Sequence, residues 1–511
     1  MRKICRVLFS RYAISAVMIL CEIALMVYLS FSASTSLYPT VIVAIIMALS
    51  ALVSLINRDT NPEYKLSWAV VILSMPVAGP ILYILFYQRR MSRGESRLLC
   101  RAITELRGSG EMGGKFSLLF AEDRMAAGKA RSIMNDDPLA DIYKGTSSHF
   151  FPSGEELFAD MREELMQAEK FIFLEYFIIE PGELWDGILE ILSDKALGGV
   201  DVRVLYDDIG CMKTLPASYE LTLEKMGIKA SRFSKVNPRI SSVHHNRDHR
   251  KICIIDGRVA YTGGVNVADE YVNRKMRFGH WLDGGIKLSG DAVRGLIKLF
   301  LSSYDFTARG ISDYSYFLDT VAPAQDADGG YYIPFGSGPA PIYKRPSGKN
   351  ALLNLINQSE RYVYVTTPYL IIDYDLTEAL CNAAGRGVDV RIITPGIADK
   401  KIVKIMTKSA YPHLLESGVR IYEYTPGFIH AKNFVSDDKY AMVGTINLDF
   451  RSLVHHFEDA VWMYGSPTAL DVRDDFLRIT EESLELDKSA ARLSLTEWIF
   501  RNGIKIFSPL L

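Results

Sequence analysis

Two stretches of the sequence carry the same chemistry-bearing residues at the same spacing. The first, HRKICIIDGRVAYTGGVN, holds His249, Lys251 and Asp256, then Gly263, Gly264 and Asn266. The second, HAKNFVSDDKYAMVGTIN, holds His430, Lys432 and Asp437, then Gly444, Thr445 and Asn447. One H-x-K-x4-D is a weak match that needs context; two copies, each trailed at identical spacing by G-[GT]-x-N, make a strong one. His and Lys at i and i+2 of an extended chain share a face, so an imidazole and an ammonium can reach one ligand together. Two such pairs supply what substitution at a phosphodiester requires: a nucleophile for phosphorus, a proton donor for the departing alkoxide, and positive charge for the phosphoryl oxygens. Lys251, Lys432 and the amides of Asn266 and Asn447 are the candidate phosphate-binding groups. With two lysines to stabilise charge, no metal or other cofactor is required.

Each imidazole needs a carboxylate on its second nitrogen to fix its tautomer. The downstream candidates are Asp283 in the first half and Glu458 in the second. Asp256 and Asp437 complete the candidate catalytic set, although aspartate after a strand favours turns, which suits them better to holding a loop than to touching phosphate. The pairs His244-His245 and His455-His456 raise the question of a metal site, but consecutive residues on an extended chain face opposite ways and chelate poorly. His149, His280 and His413 read as structural or surface residues. The aromatics Tyr176, Phe177, Trp281 and Tyr369 read as core beside the motifs.

The elements that must position these groups are those of a duplicated α/β chain. Ser153 and Glu156 form a capping box that opens an amphipathic helix, followed by the strand-like FIFLEYFII, a helix and GVDVRVLYDD. In the second half a helical stretch from Ala351 leads to YVYVTTPYLII, a helix and GVDVRIITPG. Gly199 and Gly387 each read as a helix-ending glycine before a buried strand. The Ala-, Asp-, Gly- and Pro-rich stretch from Val321 to Pro341 reads as the connection between the halves. The expected fold class is therefore α/β, with two pseudo-symmetric domains and a site at their interface.

The chain has 511 residues, and its 58 Lys+Arg against 60 Asp+Glu give a formal charge of −2, so it lacks the basic footprint of a nucleic-acid binder. An apolar share of 49% with 23% charged residues excludes disorder and a transporter built wholly of spans. The six cysteines are scattered singly, so neither a disulfide framework nor Cys-ligated zinc is expected. The N-terminus is a different material. From Tyr12 to Phe31 the only charge is Glu22, and Leu37 to Ile56 carries none; each run approaches the roughly 20 residues a helix needs to cross a bilayer core. A third uncharged run, Leu66 to Gln88, contains Pro76, Gly79 and Pro80 and is expected as a kinked span or a re-entrant helical hairpin. Arg2, Lys3, Arg6 and Arg11 precede these runs and Arg89, Arg90, Arg93, Arg97 and Arg101 follow them. Both flanks then face the cytoplasm. The expected organisation is a membrane anchor over 1–93 with two spans and a re-entrant third segment, a basic juxtamembrane linker over 94–135, and a cytoplasmic body with domains at 136–325 and 326–511. Glu22 is a candidate intramembrane carboxylate.

The paired motifs resemble those of the phospholipase D superfamily, and the surrounding text resembles its bacterial cardiolipin synthase branch. LEYFII, VLYDDIG, NRDHRKI, TGGVNVADEY, TTPY, NLDFRS and the terminal FSPLL are similar to signature strings of that branch, and NPEYKLSWAVVILSMPVAGPILYILFY is similar to its N-terminal membrane segment. The resemblance runs from about Asn61 to Leu511. It implies two phospholipase-D-type α/β domains sharing one active site in a multi-pass protein of the cell membrane. It also implies a reaction in which one phosphatidylglycerol forms a phosphohistidine and releases glycerol, and a second attacks to give cardiolipin. His249 would be the nucleophile and His430 the acid, then the base; the partners would be phosphatidylglycerol and other anionic membrane lipids. The sequence departs from the common pattern at Thr445, where Ser is usual, at Leu282 and Gly284 around Asp283, and at His455-His456, where Asn is common. A phospholipase D-type hydrolase or a transphosphatidylase with another acceptor lipid would use the same residues, but an anchor favours a lipid acceptor by proximity. A superfamily nuclease fits poorly with the anchor and the neutral charge, and a dead scaffold would lack a motif His or Lys, whereas all four are present. Oligomeric state is left open.

Overall fold

The computed structural model describes residues 38–58, 60–87, 93–107, 114–235, 246–340, 342–488 and 503. The run Tyr12–Phe31, Glu22 and the pair His244-His245 lie outside them. The chain divides into an N-terminal unit and a body that begins at Met91.

In the N-terminal unit the second apolar run forms one helix, Tyr38–Ile56, whose 19 residues span about 28 Å at 1.5 Å per residue. Among the described residues no helix is long and apolar enough to cross a membrane. The third run is two helices. Asn61 caps the first, Pro62–Ser74, by accepting the Glu63 amide at 2.8 Å. Pro76 lies in the break, and the chain resumes as Ala78–Phe86. The two fold back on each other through aromatic contacts, Trp68 with Tyr83 at 5.7 Å and Tyr64 with Tyr87 at 5.4 Å between ring centroids. Gly79 permits the approach, since a Cβ there would lie 2.7 Å from the Ile72 Cα. Ala48, Ala51 and Leu55 of the long helix close this core. On its other side Ile42, Ile45, Ile46, Leu49, Val53 and Ile56 form an exposed apolar stripe at helical spacing.

The body carries the duplication. Its first half supplies β1 (Thr146–Phe151), β2 (Phe171–Tyr176), β3 (Asp201–Asp207), β4 (Lys229–Phe233), β5 (Lys251–Ile255), β6 (Val259–Gly263), β7 (His280–Leu282) and β8 (Gly285–Gly290). The second supplies β9 (Tyr331–Ser337), β10 (Tyr362–Thr366), β11 (Leu370–Ile371), β12 (Asp389–Pro395), β13 (Arg420–Tyr424), β14 (Gly427–Ile429), β15 (Asn433–Ser436), β16 (Tyr440–Gly444), β17 (Leu448–Asp449), β18 (Glu458–Tyr464) and β19 (Ser483–Glu485). The first sheet runs β1-β8-β6-β5-β2-β3-β4 and the second β9-β18-β16-β15-β10-β12-β13-β19. Strand for strand the orders match, with β19 added at one edge. The repeated GVDVR has one job in both: Gly199 (φ +94°) and Gly387 (φ +88°) take the left-handed conformation that ends a helix. The amides of Val200 and Val388 then return to the carbonyls of Lys195 and Ala383 before β3 and β12 begin.

Alternation along the strands divides the core. Ile252 and Ile254 of β5 join Val443, Val461 and Met463 of the other sheet in one cluster, while Cys253 and Ile255 point into a second under the first half's helices. Phe434 and Met442 do the same in the second half. The central cluster thus holds the two sheets face to face.

Two expectations change. The stretch from Val321 to Pro341 is not all connection, because β9 lies inside it and pairs antiparallel with β18. Pro334 disguised it, and an edge strand is where a sheet tolerates proline. The segment 94–135, expected as a linker, contains helices Arg93–Arg107, Gly114–Glu122 and Arg124–Asp136. Leu99, Ile103 and Leu106 of the first are buried at helical spacing; its arginines masked that apolar face.

Candidate functional site

Short strands from opposite halves bring the motif residues together. β14 pairs in parallel with β7, placing Ile429 opposite Leu282. The next residue on each is functional: the His430 amide donates to the Leu282 carbonyl at 2.7 Å, and Asp283 Oδ2 lies 2.6 Å from His430 Nδ1. The mirror device occurs beside β5. Asp248 bridges Phe457 in parallel, the His249 amide donates to the Phe457 carbonyl at 2.8 Å, and Glu458 Oε2 lies 2.9 Å from His249 Nδ1. Both expected carboxylates meet an imidazole, but crosswise, each holding the ring of the other half.

The lysines fold in beside them. Lys251 Nζ donates to the His249 carbonyl at 2.5 Å, and Lys432 Nζ to the His430 carbonyl. All six groups are buried, and burial sets their protonation. It pushes the His249 imidazole down to about 3 and that of His430 to about 4. It lowers the Lys251 ammonium to about 8 and that of Lys432 to about 7. Burial alone would raise Glu458 and Asp283, but His249 beside the first, and His430 and Lys432 beside the second, hold both below the usual carboxylate range. Two neutral rings and two carboxylates then face lysines that carry their full charge only below about pH 7; His249 places Nδ1–H on Glu458 and leaves Nε2 as the basic nitrogen, while His430 Nδ1 lies between Asp283 and Lys432 Nζ, the latter at 2.9 Å. Lys251 acts electrostatically on both His430 and Lys432, so the two pairs form one site.

The G-G and G-T positions differ for a reason the geometry supplies. Thr445 Oγ1 donates to Glu458 Oε2 at 2.6 Å, and Ser452 Oγ to Oε1 at 2.7 Å, so the threonine retains the hydroxyl function. At Gly264 a Cβ would strike the Asp283 carboxylate and lie 2.9 Å from the His430 carbonyl oxygen.

The motif aspartates are not brought to the rings. Asp256, in the left-handed conformation (φ +56°), accepts the amides of Glu169, Lys170 and Phe171. Asp437 (φ +58°) accepts those of Glu360, Arg361 and Tyr362. Each stands at the far end of its strand, about 17 Å of extended chain from the motif lysine, and clamps the start of β2 or β10. Their place in the candidate catalytic set is corrected to this loop-holding one, because three amide bonds absorb each carboxylate. Asn266 accepts the Ile178 amide at 3.0 Å and donates to Tyr271 Oη at 2.8 Å, so its amide is largely committed to the loop. Asn447 is buried, and its Oδ1 has no partner among the described residues.

Arg250 and Tyr271 escaped the sequence reading, and Phe177, Trp281 and His456 were read as core or as a poor chelating pair and not as neighbours of the rings. Arg250, between the motif His and Lys and therefore on the opposite face, is fully buried and donates to the Glu458 and Leu299 carbonyls, Ser303 and Tyr343. His456 and Trp281, each two residues before an orienting carboxylate, lie tilted against the ring that carboxylate holds, with centroids 5.7 Å from His249 and 5.5 Å from His430. The i−2 spacing common to both was the available signal. Phe177 and Tyr271 pack edge-on against His249 and His430. His149, His280 and His413 are exposed.

Comparison with known proteins places the chain. The family model described as "Cardiolipin synthase, PLD-like domain" matches twice, over residues 161–278 and 352–480, and "Phospholipase_D-nuclease N-terminal" matches 46–86. An uncharacterized protein of Streptococcus mutans is 38% identical, covering 89% of this chain and 98% of its own. A cardiolipin synthase of Halalkalibacterium halodurans is 33% identical over 89% of this chain and 90% of its own. Among solved structures, the phosphatidylserine synthase of Haemophilus influenzae superposes with a TM-score of 0.57 at 15% identity, covering 75% of this chain and 98% of that one, a likeness of fold. The chain belongs to the cardiolipin synthase family of phospholipase-D-like proteins.

Proposed function

We propose that the protein is a cardiolipin synthase that transfers a phosphatidyl group between two phosphatidylglycerol molecules, using its two halves, 136–325 and 326–511, as one active site. The observation that carries the reading is the crossed pair of imidazoles, each with a lysine at i+2 and a carboxylate from the opposite half. His249 Nε2 attacks phosphorus while Glu458 takes the charge that develops on Nδ1–H. The phosphate diester brings the negative charge that draws a proton onto His430, which delivers it to the departing glycerol oxygen. Lys251 and Lys432 face the phosphoryl oxygens, with Asn447 as a further donor. The terminal hydroxyl of a second phosphatidylglycerol then gives its proton to His430 and attacks phosphorus, the P–N bond breaks, and cardiolipin leaves.

The N-terminal unit anchors this chemistry to the membrane. The exposed apolar stripe of Tyr38–Ile56 supports a membrane-embedded helix and the hairpin Pro62–Phe86 a re-entrant segment; a further span and a cytoplasmic body rest on the apolar run Tyr12–Phe31 and the flanking arginines. Labelling of the exposed Cys100 by an impermeant reagent in intact cells would overturn that side assignment. The activity is tested by giving the purified protein phosphatidylglycerol of one acyl composition. Cardiolipin and glycerol are expected, with His249→Ala and His430→Ala inactive; normal turnover by either variant would defeat the two-histidine mechanism.

A further inference from the structure

One difference between the halves lies in the ring beside each motif histidine. Two residues before Asp283 stands Trp281, whose ring lies tilted against His430; two residues before Glu458 stands His456, whose ring lies tilted against His249. The indole offers no ligand atom, whereas the imidazole offers two. Both ring nitrogens of His456 are buried without a hydrogen-bond partner among the described residues, a costly state for a polar group that nothing within the site repays. Its Nδ1 lies 3.7 Å from Glu458 Oε1, beyond a hydrogen bond. One donor atom from each of His249, His456 and Glu458 lies within 4.8 Å of the others.

We propose that His249, His456 and Glu458 form an inhibitory site for a divalent transition-metal ion of the zinc class. Two imidazoles and a carboxylate are a donor set such ions accept, with a further position left for water or a phosphate oxygen. Metal–donor bonds of about 2.0–2.2 Å put neighbouring donors about 3.3 Å apart. One donor atom from each residue already lies within 4.8 Å of the other two, so side-chain rotations that draw the donors inward close the site. The nearby ammoniums of Lys251 and Lys432 oppose a cation and make its binding reversible.

The inhibition follows from proton bookkeeping on one ring. When Nδ1 of neutral His249 gives its lone pair to the metal, the ring's single proton moves to Nε2. That nitrogen then has no lone pair with which to attack phosphorus, and Glu458 is withdrawn from its orienting role. The inference rests on His249 being the nucleophile, and the experiment separates the two ideas by reading binding and activity apart.

Full-length protein in detergent micelles is titrated with buffered free Zn2+ during phosphatidylglycerol turnover, and with Co2+ while visible absorption is recorded. One Co2+ per chain with the intense d–d bands of a low-coordinate nitrogen and oxygen site is expected, together with Zn2+ inhibition relieved by excess phosphatidylglycerol. His456→Asn, compared with its own metal-free rate, should lose the Co2+ bands and need at least tenfold more Zn2+ for half inhibition. A melting profile records that the variant is folded. Unchanged Zn2+ sensitivity in folded His456→Asn, or absence of the Co2+ bands in the parent protein, would overturn the site. Co2+ and Zn2+ binding that depends on His456 but leaves turnover intact would overturn the inhibitory role and would implicate the nucleophile assignment instead.

Discussion

Glu458, in the second half of the chain, places Oε2 2.9 Å from Nδ1 of His249, a residue 209 positions earlier. Neither half therefore holds a complete catalytic unit. Glu458→Gln keeps the size of the side chain but removes the charge that fixes the ring and stabilises the developing imidazolium. A fall in kcat of about a hundred- to ten-thousand-fold is expected, by analogy with carboxylate removal from other His-orienting pairs. KM should change little, because Glu458 is not placed against phosphate. Steady-state kinetics check this, and a mainly KM effect would argue against the orienting role.

The motif aspartates should behave as structural residues. Asp256→Ala removes the acceptor for three amides and puts a Cβ-branched-free but still unsuited residue at φ +56°. A loss of about 1–2 kcal/mol of stability is expected from the lost bonds to amides that water can partly reach and from backbone strain. The fraction that folds should turn over within a few-fold of the parent, as thermal melts set beside active-fraction-corrected kcat will show.

Gly264 and Thr445 occupy equivalent motif positions with opposite demands. Gly264→Ala is expected to displace the Asp283 carboxylate and the His430 carbonyl, to lower kcat at least tenfold in the folded fraction, and to lower the melting temperature, since overpacking a buried site costs about 1–3 kcal/mol. Thr445→Ser should keep the hydroxyl bond to Glu458 and near-parent activity, and Thr445→Val should lose it. Comparable rates for the Ser and Val variants would show that this hydroxyl does not support the site.

The buried cations give the reaction a pH signature. As pH rises through about 7 and then about 8, Lys432 and Lys251 lose their charge, so kcat/KM should fall on the alkaline side. A bound phosphate favours the ammonium forms, so the same fall in kcat should lie at higher pH. His249 remains unprotonated down to about 3, which leaves the nucleophile available at pH 5. Stability has the opposite sign. Both imidazoles titrate in the fold below their ordinary 6.5, so the unfolded chain binds more protons in that range and stability should drop as pH falls below 6.5. Rate profiles and melting curves across pH 4–9 test both limbs.

The chemistry was legible in the sequence because duplication printed it twice. The repeated H-x-K and G-x-x-N spacing named the rings and lysines, and GVDVR marked the same helix end in each half. Crossing was not legible: Asp283 and Glu458 each follow their own half's motif in sequence, and only the parallel pairings of β7 with β14 and of Asp248 with Phe457 show which ring each serves. Pro334 hid β9, and arginines hid the buried face of Arg93–Arg107, because local composition outweighed periodicity in both. His456 was discounted as half of a poor chelating pair, whereas the fold pairs it with His249 and Glu458 and not with its chain neighbour.

The most direct test mixes the protein with phosphatidylglycerol radiolabelled at phosphorus and quenches it in alkali, which preserves phosphohistidine, within the first turnover. Acid-labile label on His249 is expected, followed by labelled cardiolipin and one glycerol for each cardiolipin formed. Label on His430, no protein-bound label, or phosphatidic acid as the sole product would contradict a phosphatidyl transfer run through His249.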